Sequence, residues 1–203
     1  MKLYVTHRAP NPRRVTMFLA EKSLDIAREE VDFARHQHKT VDFSALNPFQ
    51  QVPVLVLDDG TVLTESIAIC RYFEELHPNP PLFGTGALER AQVEMWQRRM
   101  ELYFLWPVAH VFRHSHAFMA PFEIPQIPEF AAVNRPKVLK FLEYLNTELA
   151  GREFVCGGKF TIADITGLAA TDFMKAARIA LPAQLTHVTR WHAGLSARPS
   201  ASA

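Results

Sequence analysis

A proline-rich break near residue 80 divides the chain into two parts with different patterns. Residues 78–81 read Pro-Asn-Pro-Pro, which cannot continue a helix because proline lacks the amide donor and clashes with the preceding turn. Before the break, short β-like runs alternate with helical runs, whereas after it the β signals fade. The sequence therefore predicts an α/β domain at 1–77, a linker at 78–86 and an all-helical domain at 87–203.

The first part predicts the element order β-α-β-α-β-β-α. Its clearest element is a hairpin, because Asp58-Asp59-Gly60 lies between two apolar runs and an Asp-Gly pair there is a strong hairpin signal. Strands are expected at 2–5, 28–31, 54–57 and 61–63, and helices at 11–22, 42–46 and 66–77.

The second part contains only helical patterns. An apolar stretch at 102–112 is far shorter than the roughly 20 residues that span a bilayer, and it indicates a buried helix. The segment between the first two predicted helices carries Pro121, Pro125 and Pro128, which indicates an ordered loop. Helices are expected at 87–114, 133–150, 161–180 and 187–197.

Composition narrows the partners and the location. The 22 Lys and Arg nearly balance the 21 Asp and Glu, and no basic run is long enough to follow a phosphate backbone. The N-terminus shows no secretory pattern. Cys70 and Cys156 lie far apart in apolar surroundings, as expected of core thiols in a reducing compartment. We expect a cytoplasmic protein that binds neither nucleic acid nor membrane.

Two neighbouring segments suggest a ligand site. Pro53 heads a β run, so it must lie at an edge or a special turn, and a cis Val52–Pro53 peptide would suit that position. Ser66 is a good N-cap, and a helix N-terminus attracts a carboxylate. Glu65 beside it would attract an ammonium group, so the pair matches an α-amino-acid terminus such as a γ-glutamyl group. The alternative is an ordinary capped helix.

Three segments, in order and at family-like spacing, resemble the cytosolic glutathione transferases over nearly the whole chain. Residues 47–55 resemble the family's loop and cis-proline strand, residues 63–69 its glutathione-anchoring Glu-Ser motif, and residues 160–165 its helical-domain signature. The resemblance implies a thioredoxin-like N-terminal domain, an all-α C-terminal domain and a homodimer. In the third segment, Thr161 and Asp164 also approximate a capping box, which assigns them to folding.

The resemblance carries glutathione-binding roles over to four residues. The backbone of Val52, exposed by cis Pro53, is expected to pair with the cysteinyl part of glutathione as an added strand. Glu65 and Ser66 are expected to hold the γ-glutamyl end.

For the glycyl end, the resemblance is less direct. Gln51 is similar to a polar residue that family members place there, and His38 or Lys39 could supply a positive charge for the carboxylate. A solvated loop is the alternative for His38 and Lys39.

The group that stabilises the glutathione thiolate departs from the family's pattern. Family members use a Tyr, Ser or Cys in or just after the first strand, whereas residues 6–12 read Thr-His-Arg-Ala-Pro-Asn-Pro. Asn11 is the candidate catalytic residue, because its amide can donate a hydrogen bond and helix N-termini lower thiol pKa values. Thr6 and Tyr4 are reserve hydroxyls. The alternative is that Asn11 is only an N-cap before Pro12.

The long helix of the second part offers residues for a second substrate. Trp96, Arg99, Tyr103 and Trp106 recur at three- and four-residue intervals and share one side. We predict that Arg99, Tyr103 and Trp106 line a pocket for the electrophile. The alternative is that the stripe belongs to the core.

Three histidines near the end of that helix raise the question of a metal. His110 and His114 are one turn apart and His116 follows, but no acidic or cysteine ligand accompanies them. Members of the resembled family need no metal, so none is expected.

Two hypotheses for function remain. The first is an enzyme that binds reduced glutathione as a co-substrate, stabilises its thiolate and directs it at an apolar electrophilic small molecule in detoxification. Peroxide reduction, isomerisation and bond cleavage on the same scaffold stay open. The second is a non-catalytic glutathione transferase-like binding or regulatory protein, which the unusual first turn favours.

Overall fold

The structure, a computed structural model, describes residues 1–7 and 9–203. Its first part contains a four-stranded sheet in the order β2-β1-β3-β4. Strand β1 is parallel to β2 and antiparallel to β3, which pairs antiparallel with β4 across the predicted hairpin. The strands are β1 (Lys2–Val5), β2 (Ala27–Glu30), β3 (Val54–Val56) and β4 (Val62–Thr64), and the helices are α1 (Pro10–Glu21), α2 (Val41–Leu46) and α3 (Ser66–Leu76). The predicted element order is confirmed.

Alternation along β1 gives the sheet two apolar faces. Leu3 and Val5 are buried on one face. On the other face, Tyr4 packs edge-on against Phe43 of α2, within a cluster that includes Val54. A short strand with apolar residues on both faces must be covered on both sides, which fits an α/β layer structure.

Two helices begin differently from the prediction. Helix α1 begins at Pro10 with Ala9 as its N-cap, so Asn11 lies in the first turn, and the N-cap alternative for Asn11 is wrong. Proline has a fixed φ and no amide hydrogen, which suits the first helical position. The N-cap of α3 is Glu65, and Ser66 is the first helical residue, so the N-cap role expected of Ser66 is also wrong.

The second part is helical, as expected. Helix α4, a π-helical segment (Met100–Leu105) and α5 run without a break from residue 86 to residue 115. Pro107 lacks an amide donor, and the wider turn before it accommodates its ring. No helix in the described part of the chain is long and apolar enough to span a membrane. The helices are α4 (Gly86–Arg99), α5 (Trp106–Ser115), α6 (Pro128–Glu148), α7 (Ile162–Phe173) and α8 (Thr186–Ser196).

A buried carboxylate organises the start of α7. Asp164 accepts hydrogen bonds from the Thr161 and Val155 backbone N–H groups, each at 3.0 Å, and from the Trp191 indole N–H at 2.9 Å. The predicted capping box is therefore present. Burial raises the pKa of Asp164 to about 6.

The contacts divide the chain into two compact units. The first comprises Met1–Leu82 and Pro199–Ala203, and the second comprises Phe83–Arg198. The last five residues, which the sequence prediction placed in the helical domain, join the first unit because they hydrogen-bond to α1. Arg13 donates to the Ala201 carbonyl at 3.1 Å and Thr16 to the Ala203 carbonyl at 3.0 Å.

Candidate active site

One end of the sheet in the first unit brings several predicted residues together. Strand β1 ends before Thr6, and β4 leads into Glu65. Continuing the register of β3 by two residues places Val52 opposite Thr6 on one side and opposite Ser66 on the other. The start of α3 and the segment before β3 therefore lie at the same end of the sheet.

Val52 presents unpaired backbone at this end. The Val52–Pro53 peptide is cis, as predicted. The Val52 side chain is buried with Val31, Phe43 and Val54. Its backbone N–H and carbonyl make no hydrogen bond to any other residue that the structure describes. Extended backbone with both groups unpaired can accept a ligand's backbone as an additional strand.

Glu65 and Ser66 form the junction between β4 and α3. Glu65 has φ 65° and ψ 116°, a conformation that costs a non-glycine residue about 1–3 kcal/mol. Its side chain is exposed. Ser66 is buried, and its hydroxyl makes no hydrogen bond to any residue among 1–7 and 9–203. The first amides of α3 are also available at this end. The junction can hold a carboxylate on the amides and the hydroxyl, and an ammonium group on Glu65.

The side-chain amide of Asn11 is held in one orientation. Its Oδ1 accepts a hydrogen bond from Nη2 of the buried Arg14 at 2.8 Å. Because a guanidinium group only donates, the oxygen must face Arg14 and the amide NH2 must point elsewhere. Asn11 is half-buried, and its NH2 bonds to no described residue. This group can therefore donate to a ligand.

The two reserve hydroxyls are placed differently. The Thr6 hydroxyl donates to Glu30 Oε1 at 3.0 Å, which occupies its only proton. The Tyr4 ring lies 6.1 Å from the Phe43 ring, on the face of the sheet that α2 covers. The Asn11 NH2 and the Tyr4 hydroxyl both lack a hydrogen-bond partner among the described residues, but of the two only Asn11 lies in the first turn of α1.

The residues predicted for the glycyl end have different environments. Gln51 and Lys39 are exposed. His38 is buried, and its ring stacks on Phe33 at a centroid distance of 4.0 Å, so the solvated-loop alternative is wrong for His38. Burial lowers the pKa of His38, and the nearby Lys39 and His36 lower it further. Lys39 is therefore the better source of positive charge near neutral pH.

The second unit contains an open cleft between the long helix and α6, which we call the helical cleft. Its volume is about 840 Å³. Its lining includes Arg99, Tyr103, Trp106, Phe130, Lys137 and Lys140.

All three predicted pocket residues line the helical cleft. Tyr103 and Trp106 are 60% and 49% exposed. Arg99 donates to the Tyr144 hydroxyl at 3.0 Å, and its guanidinium lies 5.0 Å from the centre of the Trp96 ring. Trp96 itself is buried, which supports the core alternative for that member of the stripe only.

The histidines of the long helix form no metal site in the described residues, where no group of three or more His, Cys, Asp and Glu side chains could hold an ion. His114 Nδ1 accepts a hydrogen bond from the Ile127 N–H at 3.1 Å. His110 lines the helical cleft, and its buried Nδ1 has no partner among the described residues. Burial lowers the pKa of His110, with His114 and Arg113 contributing, so its ring is neutral near pH 7.

The protein's own thiols are poor nucleophiles. Burial raises the pKa of Cys156 to about 11 and raises the pKa of the fully buried Cys70 further. Because the thiolate is the reactive form, neither cysteine is suited to attack a substrate near neutral pH.

Sequence reasoning missed several residues of these sites, among them one arginine and two lysines. Arg14 follows Asn11 by three positions, and residues three apart face each other on a helix, so this spacing could have revealed it. Lys137 and Lys140 lie one turn apart on α6. No local pattern links them to the long helix, because only tertiary packing brings α6 beside it.

Comparison with known proteins identifies the family. A family model described as the glutathione S-transferase N-terminal domain matches residues 9–76, and a model of the C-terminal domain matches residues 110–199. The chain is 34% identical over 203 residues to Glutathione S-transferase 2 of Saccharomyces cerevisiae, covering 98% of this chain and 87% of the yeast protein. The chain belongs to the glutathione S-transferase family.

Solved structures agree with this assignment. A glutathione S-transferase domain-containing protein from Marinobacter aquaeolei is 37% identical, with a TM-score of 0.94 over 98% of this chain and 99% of the other. Gtt2 from Saccharomyces cerevisiae is 34% identical, with a TM-score of 0.93 over 98% of each chain. With curated relatives named as glutathione S-transferases, these matches make the chain an enzyme of that type. The thioredoxin-like and all-helical fold prediction is confirmed.

Proposed function

We propose that the protein binds reduced glutathione at the sheet end of the first unit, stabilises its thiolate and uses it on an electrophilic small molecule. The observation that carries the proposal is the backbone of Val52, which pairs with no residue in the described part of the chain and which strand register sets beside Ser66. A peptide-like ligand with a free α-amino-acid end can pair with the Val52 backbone and bind Ser66 at the same time.

Each part of glutathione has a proposed partner. The cysteinyl backbone pairs with the N–H and carbonyl of Val52 beside cis Pro53. The γ-glutamyl carboxylate binds Ser66 and the first amides of α3, and its ammonium group binds Glu65. Lys39 and Gln51 serve the glycyl end.

Asn11 is the proposed thiolate-stabilising residue. Its oriented NH2 donates to the sulfur, and the N-terminus of α1 adds a favourable dipole. Lowering the thiol pKa by two units corresponds to about 2.7 kcal/mol of preferential stabilisation of the thiolate. The proton leaves to solvent, and the thiolate supplies the electron pair for the new bond to the electrophile. The bond that breaks in the electrophile gives its electron pair to the departing halide or to the oxygen of the opened epoxide or peroxide, which then takes up a proton where needed.

The second substrate is proposed to bind in the helical cleft. Tyr103 and Trp106 provide aromatic surface there, and Arg99 provides a fixed polar group. A homodimer, a cytoplasmic location and a role in detoxification are part of the same proposal, and membership of the family supports them.

A panel of electrophiles tests the proposal. Activated aryl halides, organic peroxides and epoxides would be offered with glutathione, and glutathione binding would be measured in parallel by calorimetry. Enzymatic turnover above the uncatalysed rate, saturable in glutathione, is expected with at least one class. Glutathione binding without turnover of any class would support the non-catalytic alternative, and absence of binding would contradict the site itself.

A further inference from the structure

The helical cleft carries uncompensated positive charge. Its charged lining residues are Arg99, Lys137 and Lys140, and no carboxylate lines it. None of these three cations forms an ion pair with a carboxylate in the part of the chain that the structure describes. Elsewhere in the same unit, Arg113 lies against Glu123 and forms such a pair. The cleft therefore favours an anionic ligand.

The cation on the long helix is held in a fixed position. The Tyr144 hydroxyl accepts a hydrogen bond from Arg99 Nη1 at 3.0 Å, and the guanidinium lies over the Trp96 ring. Tyr144 stacks on Trp96 with ring centroids 6.0 Å apart, so both supports of the guanidinium are packed against each other. A guanidinium that is already ordered loses less entropy when it binds an anion.

The other two cations reach the cleft from α6. Lys137 and Lys140 are exposed and three residues apart, so they lie on one side of that helix. Lys137 Nζ is 3.4 Å from Asn134 Oδ1, which leaves its charge without an anionic partner.

The remaining walls suit a planar ring. Tyr103, Trp106 and Phe130 expose 60%, 49% and 38% of their surface. Aromatic rings at the edge of a cleft offer large apolar area at little entropic cost and stack on other rings.

We propose that the helical cleft binds an aromatic carboxylate, so that the preferred electrophile is a ring that carries a negative charge. The ring packs against Trp106 and Phe130, and the carboxylate faces Arg99, Lys137 and Lys140. This inference names the substrate class of the cleft and rests on the proposed function for its role in turnover. Binding of an aromatic carboxylate to the helical cleft, however, can be measured whether or not the protein turns over glutathione.

Two unreactive probes with the same ring show how much the negative charge of a ligand, rather than its shape, contributes to binding in the helical cleft. The first is 3,5-dinitrobenzoate and the second is its methyl ester, which has the same ring without the charge, and neither carries a leaving group. Calorimetric titration of the full chain without glutathione should show the carboxylate binding about tenfold more tightly than the ester. Raising the salt concentration from about 0.05 M to about 0.5 M should narrow that difference.

Variants without the lysine charges test whether Lys137 and Lys140 cause the preference for the carboxylate. In the double variant Lys137→Gln/Lys140→Gln, the preference for the carboxylate should fall to about threefold or less. Glutamine suits an exposed helical position nearly as well as lysine, so the variant should fold. Lys175→Gln removes an exposed lysine that does not line the cleft, and it should keep the full preference.

Three results would overturn the proposal. They are equal affinity for the two probes, a preference that stays at about tenfold in the double variant, and no binding of either probe, as expected if a second copy of the chain covers the cleft. Failure of the electrophile panel would count against the proposed function alone, because these probes do not react with a thiol.

Discussion

The side-chain amide of Asn11 is oriented by Arg14. Arg14 can only donate, so it fixes the Asn11 oxygen and leaves the NH2 for a ligand. The Thr6 hydroxyl differs, because its proton already goes to Glu30. Substituting Asn11 and Thr6 separately therefore tests which side chain donates a hydrogen bond to the glutathione sulfur.

We predict that Asn11→Ala raises the pKa seen in the pH profile of kcat/KM and lowers turnover near neutral pH, while glutathione affinity stays nearly unchanged. Steady-state kinetics across pH, with calorimetry for affinity, would measure both effects. Thr6→Ala is the matched control and should leave the profile in place. If Asn11→Ala only reduces stability by about 1 kcal/mol, through loss of the Arg14 bond, the catalytic role is wrong.

Ser66 is buried, and its hydroxyl makes no hydrogen bond within residues 1–7 and 9–203. We predict that Ser66→Ala weakens glutathione binding by about 1–3 kcal/mol, because a charged carboxylate loses a hydrogen bond. Alanine is well tolerated in a helix, so calorimetry can be done on folded protein. Ser196→Ala, an exposed change in α8, should have no effect. Unchanged affinity for Ser66→Ala would mean that the residue serves only the start of α3.

At the scale of the elements, the sequence predicted what depends on local pattern. The short apolar run at residues 2–5 is sufficient to predict β1. The Asp-Gly turn is sufficient to predict β3, β4 and the antiparallel pairing between them. The positive φ of Glu65 was not predictable, because the conformation is imposed by the junction of β4 and α3 rather than by the residue. For the same reason Ser66 was expected at the wrong helical position.

The helical part shows the same limit. The π-helical segment before Pro107 has no distinct apolar period. Helix α6 begins at Pro128, whereas the sequence pattern predicts a loop there and a helix only from residue 133. Proline suits the first turn of a helix, but pattern alone does not tell which proline opens one. The helical cleft forms where α6 packs beside the long helix. Because this packing is tertiary, the sequence pattern alone does not predict that Lys137 and Lys140 line the cleft.

The start of α7 gives an element-scale prediction about pH. Burial raises the pKa of Asp164 from its ordinary value of 3.8 to about 6. The folded protein therefore binds this proton more tightly than the unfolded chain does. The resulting stabilisation is complete below about pH 4 and is lost as the pH rises through 6, a change of about 3 kcal/mol.

Urea denaturation of wild type and Asp164→Asn can measure this loss. The asparagine variant lacks the titration, so the difference in unfolding free energy between wild type and variant should fall by up to about 3 kcal/mol from pH 4 to pH 7. A difference that is constant, or that grows with pH, would contradict the raised pKa.

At the scale of the whole molecule, we expect a homodimer. Leu88 and Met95, seven residues apart on one side of α4, are 73% and 41% exposed, as expected of apolar side chains that a second copy covers. Light scattering should give about twice the chain mass of 23.1 kDa, and Leu88→Glu with Met95→Glu should shift the mass towards the monomer. A mass near 23.1 kDa at micromolar concentration would exclude a stable dimer.

The proposed function requires the protein to stabilise the thiolate of bound glutathione and to direct it at an electrophile. The most direct measurement is a pH titration of the thiolate absorbance of glutathione bound to the wild-type protein, beside the pH dependence of turnover. We predict that the bound thiol titrates about one to two units below the free value of about 8.5, and that turnover follows the same curve. A bound thiol that titrates like free glutathione, with no turnover above the uncatalysed rate, would contradict the claim.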